Sequence, residues 1–156
     1  MTTFVDSTLE DRCLRYRREF QLPAVIDPTS RHILLYVGAR CGAVTMPTEL
    51  GEQVRQRLRL AGIAGPVVAH PRARRWTFLT GPTQPDSISV TAAAELFRLY
   101  TTVACGGSQI VLPSPEDERT GYRTWVQSPQ TTADRPPQSF VVDAARDAGA
   151  SRTPGR

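Results

Sequence analysis

The sequence predicts an α/β (α+β) fold: a mainly antiparallel mixed sheet with about three helices packed on it. Three segments, 7–20, 47–61 and 91–100, carry apolar residues at the three- and four-residue steps of an amphipathic helix. Short apolar runs separated by Gly, Pro and Asp lie between these segments, as is typical of strands and turns. The order of elements does not fix which strands pair.

The chain has 156 residues, which is enough for a domain with its own core. No apolar run approaches the roughly 20 residues that span a bilayer, and no leader-like segment opens the chain. We therefore expect a cytoplasmic protein without a membrane partner. The three cysteines (Cys13, Cys41 and Cys105) have no CxxC spacing and are expected to be reduced.

Composition divides the chain into two parts. Residues 1–128 are predicted to form a single domain. From residue 129 to residue 156, Pro, Ser, Thr, Asp and Arg dominate, with one short apolar cluster at 140–142. We predict that this second part is a disordered tail, because it offers little apolar surface to bury.

The first helix is predicted from Ser7 to Phe20, with Ser7 and Glu10 as a capping box. Its apolar face consists of Leu9, Cys13, Tyr16 and Phe20. Its arginines are expected to be solvated, and they are Arg12, Arg15, Arg17 and Arg18.

The second helix is predicted to begin at Pro47 and to end at Gly62. The third, Thr91–Tyr100, is expected to bury Ala93, Leu96, Phe97 and Tyr100. Strands are predicted at 23–26, 33–37, 43–46, 66–69, 76–79, 102–104, 110–112 and 122–126. An acidic loop containing Glu116, Asp117 and Glu118 is predicted for 113–121.

The most legible local structure is a hairpin over 65–82. Gly-Pro pairs open and close it, and two apolar runs flank a short basic connection. Six arginines and no acidic residue lie between positions 53 and 85. We select Arg72, Arg74, Arg75 and Trp76 as a nucleic-acid-binding patch, with Arg55 and Arg59 as support. The alternative is that Trp76 belongs to the core and that the arginines solubilise a turn.

Charge alone does not decide between these interpretations. The net charge is +4 and the sequence pI is about 9.4, which is modest support for an anionic partner. All the basic side chains other than histidine are arginine, and asparagine is also absent. A GC-rich genome explains that bias equally well, because lysine and asparagine codons are AT-rich.

Catalytic motifs are missing from the sequence. There is no GxSxG elbow, Walker A loop or GxGxxG. Neither His32 nor His70 has a partner at metal-ligand spacing. We therefore predict no catalytic residue, no metal and no cofactor.

Two segments carry a family resemblance. Gly106-Gly107-Ser108-Gln109-Ile110-Val111-Leu112-Pro113-Ser114 and Gly121-Tyr122-Arg123-Thr124-Trp125 resemble motifs of the N-terminal module of bifunctional DNA primase/polymerase (prim-pol) proteins. The resemblance covers roughly residues 35–128, and short stand-alone members of this kind occur in high-GC bacteria. It implies a primase-like fold.

This sequence departs from that family at the catalytic positions. Active members carry an Asp-x-Asp motif on the strand before the helix, where this chain has Ala43-Val44-Thr45-Met46. They also place a histidine in the basic strand, where this chain has Arg74-Arg75-Trp76. Neutral Thr and Met side chains cannot hold Mg²⁺. The resemblance therefore implies a degenerate primase that lacks polymerase chemistry.

Three functions follow as hypotheses. The leading one is a non-catalytic domain that binds DNA, RNA or a protein of the nucleic-acid machinery through the Arg/Trp patch. The second is a regulatory or scaffold protein, as a dimer or with a protein partner, that acts through a sheet edge or the tail. The third is a metal-dependent nucleotidyltransferase with carboxylates drawn from Asp86 or Glu116–Glu118.

Overall fold

The computed structural model describes residues 8–83, 88–131 and 134–152, and within these it has five helices and eight strands. In chain order they are α1 (Leu9–Glu19), β1 (Ala24–Ile26), β2 (Ile33–Tyr36), β3 (Gly42–Pro47), α2 (Thr48–Leu60), β4 (Val67–His70), β5 (Arg75–Thr80), α3 (Val90–Arg98), β6 (Thr102–Val103), β7 (Gln109–Leu112), α4 (Pro115–Thr120), β8 (Thr124–Gln127) and α5 (Gln138–Arg152).

The strands form two sheets, and every pair in them is antiparallel. The smaller sheet has the order β1-β2-β7 and the larger one β6-β3-β5-β4-β8. The mixed helix and strand class with antiparallel pairing is thus confirmed. The expectation of one sheet was wrong, because β2 pairs with the distant β7, with Ile33 opposite Leu112, and not with β3.

Two apolar clusters lie on opposite faces of the larger sheet. Neighbouring residues Ala43 and Val44 of β3 belong to different clusters, as do Phe78 and Leu79 of β5. Side chains alternate between the faces of a strand, which produces this division. The first cluster contains the apolar face of α1 and the inner side chains of the smaller sheet. The second is covered by α2 and α5.

Helix α1 has the predicted apolar face, since Cys13, Tyr16 and Phe20 are all buried. Its N-cap is Thr8, whose hydroxyl accepts a hydrogen bond from the Asp11 backbone N–H at 3.1 Å. Ser7, the predicted cap, lies outside the described residues.

Arg12 was expected in solvent, and this was wrong: it is only 2 % exposed. Its guanidinium pairs with Glu118. The two residues lie far apart in the sequence, so no local pattern could predict this contact. The Tyr16 hydroxyl lies beside it, donates to the Pro113 carbonyl at 2.7 Å and accepts from the indole N–H of Trp125 at 2.9 Å. A buried arginine is stable only with such partners. This network joins α1 to α4 and β8.

The predicted acidic loop is instead a short helix, α4. Ser114 and Asp117 form a capping box at its start, and Gly121 ends it at φ 74°, a conformation that favours glycine. The clustered carboxylates lie at the N-terminal end, where they stabilise the helix dipole. The run of acidic residues was typical of a solvated loop, and the capping box was therefore overlooked in the sequence.

Helix α3 is in the predicted place; the burial of Leu96 was predicted correctly, but that of Ala93, Phe97 and Tyr100 was wrong. Ala92 and Leu96 are buried, whereas Phe97 is 81 % and Tyr100 76 % exposed. Apolar residues lie on both sides of this helix, so that spacing alone could not select the side that packs.

The prediction of a disordered tail was also wrong, because α5 packs in the second cluster. Its buried apolar side chains are Val141, Val142, Ala144, Ala145 and Ala148. Small alanines carry little hydropathy signal, yet they let α5 lie close to its neighbours. A Cβ on Gly149 would come within 2.5 Å of Leu99 Cδ1. Together with α4, α5 raises the helix count from three to five. Within the described residues, no helix has both the length and the apolar character needed to cross a membrane.

Replacing Ala145, which is 0 % exposed, tests whether α5 is part of the core. We expect Ala145→Asp to lower the free energy of unfolding by about 3 kcal/mol or more, because it buries an unpaired charge. Ala150→Asp, at an exposed position of the same helix, is the control and should cost about 0.5 kcal/mol or less. Urea unfolding measures both. Equal stability of the two variants would contradict the packing of α5.

Candidate nucleic-acid interface

The basic connection of the hairpin is a tight turn between β4 and β5. His70 pairs with Arg75 across it, and Arg74 adopts a left-handed backbone conformation with φ 55°. The Arg74 carbonyl accepts a hydrogen bond from the Thr48 N–H at 3.0 Å. This bond fixes the tip of the hairpin beside the first turn of α2.

Trp76 is half-buried between the core and a surface groove. Its ring contacts Phe78, with ring centroids 6.4 Å apart, and packs closely on α2. A Cβ on Gly51 would lie only 2.8 Å from Trp76 Cε3, so the glycine makes room for the indole. Trp76 is therefore partly a core residue, as the alternative interpretation of the sequence proposed.

The remaining surface of Trp76 lines an open groove of about 580 Å³. Pro47, Ala69 and Pro71 supply further apolar surface, and Arg74 lies exposed beside them. The other residues that line the groove are Thr48, Glu49 and Arg75. The groove is wide and apolar enough to take one flat ring, and the exposed guanidinium of Arg74 lies next to it.

Arg75 has a structural role. Its Nη2 donates to the carbonyl oxygens of Thr45 at 3.2 Å and Tyr100 at 2.8 Å. It thus ties β5 to β3 and to the end of α3. These bonds reduce the capacity of Arg75 to bind phosphate.

Arg72 projects towards a different aromatic ring. Its guanidinium carbon lies 4.8 Å from the centroid of Tyr122, which is 43 % exposed. Arg123 lies 5.2 Å from the same centroid and pairs with Asp117 at 2.7 Å. A guanidinium over a ring is held by cation–π attraction. Arg72 and Tyr122 form a second aromatic and cationic surface on the hairpin side of β8.

Arg55 and Arg59 do not line the Trp76 groove. They line a separate cleft of about 150 Å³, where Arg55 Nη2 donates to Gln127 Oε1 at 2.9 Å. At the rise of about 1.5 Å per residue of an α-helix, Arg59 lies roughly 16 Å along α2 from Thr48. The structure thus places the six selected residues at three positions.

A polar row that sequence inspection missed crosses the sheet on its other face. His70 Nε2 lies 2.9 Å from Thr77 Oγ1, which lies 2.8 Å from Thr45 Oγ1. Burial, and then the positive charges of Arg123 and Arg75, lower the pKa of His70 from its usual 6.5 to about 4. The imidazole is therefore neutral at pH 7. Only strand register brings these three residues together, so that no local pattern could reveal them.

The acidic residues of α4 are each paired with an arginine. Glu116 contacts Arg119, Asp117 contacts Arg123 and Glu118 contacts Arg12. Throughout 8–83, 88–131 and 134–152, no group of three or more His, Cys, Asp or Glu side chains could hold a metal ion. Asp86, the other residue of the nucleotidyltransferase hypothesis, lies outside the described residues.

Comparisons with known proteins give no further assignment. No family model, curated protein or solved structure matches this chain.

The lowered pKa of His70 predicts a pH dependence of stability. Below pH 6.5 the imidazole of the unfolded chain takes up a proton, whereas that of the folded chain stays neutral until about pH 4. The contribution of His70 is therefore complete above pH 6.5 and is lost as the pH falls towards 4. Urea unfolding across this range should show a steeper loss for the wild type than for His70→Gln. A constant difference between the two proteins would contradict the lowered pKa.

Proposed function

We propose that this chain binds single-stranded nucleic acid without catalysing a reaction, through the tip of the β4–β5 hairpin. The observation that carries the proposal is the groove in which the open side of Trp76 meets the exposed Arg74. Unpaired bases stack on aromatic rings, and arginines contact the phosphates between them. Single strands suit this surface better than duplexes, because only unpaired bases offer a free face.

The Tyr122 surface extends the same proposal. Arg72 and Tyr122 supply a second ring and a second guanidinium, and both side chains are exposed. Both surfaces adjoin the hairpin turn, since Arg72 and Arg74 are separated by one residue. A strand that passes over the turn would contact Trp76 and Tyr122 in succession.

We propose a domain without catalytic activity because of the residues that β3 carries. Thr45 and Met46 lie where the prim-pol resemblance implies metal-binding carboxylates. The Thr45 hydroxyl is bonded to Thr77, and its carbonyl accepts from Arg75. A neutral hydroxyl next to a guanidinium is a poor ligand for Mg²⁺. We infer a degenerate primase-like domain that retains a cationic surface.

The double variant Arg72→Ala/Arg74→Ala tests the surface. Each phosphate contact to a single strand contributes about 0.7 to the slope of log affinity against log salt, so the slope should flatten by about 1.4. Affinity at about 50 mM salt should fall roughly tenfold. Anisotropy of a fluorescein-labelled oligothymidine measures both quantities. Arg75 stays in place because its backbone contacts support the fold.

Arg98→Ala/Arg119→Ala is the matched control. It removes the same charge from two exposed positions outside the hairpin and should bind like the wild type. If both double variants lose affinity equally, net charge and not this surface drives binding. If neither changes the slope, the surface has no role.

Protein association is a second candidate, and one observation favours it. Val90 is 88 %, Phe97 81 % and Tyr100 76 % exposed, and the first two lie two turns apart on one side of α3. Exposed apolar side chains of this size are typical of contact surfaces. If two copies meet there, light scattering at rising concentration should give a dimer mass that Phe97→Ser loses. A monomer mass throughout would contradict a dimer.

A further inference from the structure

A second groove lies between the C-terminal half of α1 and strand β1, away from the hairpin tip. It has a volume of about 600 Å³ and shares no lining residue with the Trp76 groove. The lining residues that matter here are three arginines and three apolar side chains: Arg17, Arg18, Arg40, Leu14, Val25 and Tyr36.

The groove carries positive charge that the described residues do not neutralise. Arg17, Arg18 and Arg40 are all exposed, and none has an ion-pair partner within the described part of the chain. Among the described residues, none that lines the groove carries a carboxylate. The nearby Glu10 and Glu19 are paired with other arginines, at 2.7 Å and 2.6 Å. An anionic partner would meet three free guanidiniums.

The floor of the groove is apolar and partly exposed. Leu14 is 41 %, Val25 39 % and Tyr36 43 % exposed. The pairing of three guanidiniums with an aliphatic and aromatic floor indicates a partner that carries both acidic and apolar side chains. A nucleic acid could stack one base on Tyr36, but it has no aliphatic side chains to cover Leu14 and Val25.

The edge of β1 forms one wall of the groove. Consecutive side chains of a strand point to opposite faces, yet Pro23, Ala24 and Val25 all line this one groove. The groove therefore runs along the strand edge. Strand β1 is the outer strand of the smaller sheet, and among the described strands its partner is β2. The Ala24 N–H already donates to the Leu22 carbonyl at 2.7 Å, so an extended peptide would add as a strand through the other main-chain groups of this edge.

We propose that this groove binds an acidic peptide segment of another protein, in an extended conformation along the edge of β1. Its carboxylates contact Arg17, Arg18 and Arg40, and its apolar side chains cover Val25 and Tyr36. Strand addition supplies main-chain hydrogen bonds, and the arginines supply selectivity for acidic sequences. A second copy of this chain is disfavoured, because pairing of β1 with its own copy would bring like charges together.

The probe for this site is a short fluorescein-labelled peptide of alternating glutamate and valine. We expect saturable binding to the full chain that weakens at higher salt. Arg17→Ala/Arg18→Ala/Arg40→Ala should weaken it at least tenfold. The control variant, Arg57→Ala/Arg98→Ala/Arg119→Ala, removes the same charge from positions outside the groove and should bind like the wild type.

Two further probes separate the parts of the proposal. A peptide of the same sequence with alternate backbone nitrogens methylated cannot add as a strand, and it should lose binding. Equal binding of the methylated peptide would overturn strand addition.

The labelled oligothymidine should bind the triple variant as it binds the control variant. The opposite result is that the triple variant binds the oligothymidine more weakly than the control variant does, and that the peptide does not bind at all. In that case the groove is a nucleic-acid surface and the proposal is wrong.

Discussion

The candidate interface depends on the position of β5 between β3 and β4. Both neighbours hold β5 in register, with Met46 and Ala69 opposite Trp76. A strand held on both sides cannot rotate its side chains from one face to the other. Trp76 therefore lies on the side of α2 and α5, and Thr77 lies on the side of α1. Trp76 and Thr77 are adjacent in the sequence, yet Trp76 lines the groove and Thr77 belongs to the polar row on the other face.

The arginines of this chain show how the fold assigns different roles to one residue type. Arg12 is buried in an ion pair, and Arg75 binds backbone carbonyls. Arg72 lies over a tyrosine ring, and Arg17 is exposed in a groove. A codon bias towards arginine would not by itself account for these contacts. Lysine has no planar guanidinium that could lie over the Tyr122 ring as Arg72 does.

The sequence predicted those parts of the fold that have strong local signals. The hairpin was recognisable from its Gly-Pro boundaries, and α1 from its apolar spacing. Helices α4 and α5 were missed, because the acidic run at 116–118 indicated a loop and the Pro, Ser and Thr residues after 129 indicated a disordered tail. At the site, Trp76 and Arg74 were predicted as neighbours and do line one groove. Contacts that depend on register, such as that of Thr45 with Thr77, were beyond sequence inspection.

The salt dependence of oligothymidine binding by the unmodified chain tests the central claim most directly. Anisotropy titrations at about 50 and about 200 mM salt cover the range in which phosphate-driven affinity falls steeply. Binding through the hairpin surface predicts measurable affinity at the lower salt and a clear loss at the higher salt. An absence of binding at about 50 mM salt would contradict the claim, and the hairpin arginines would then have no role in binding nucleic acid.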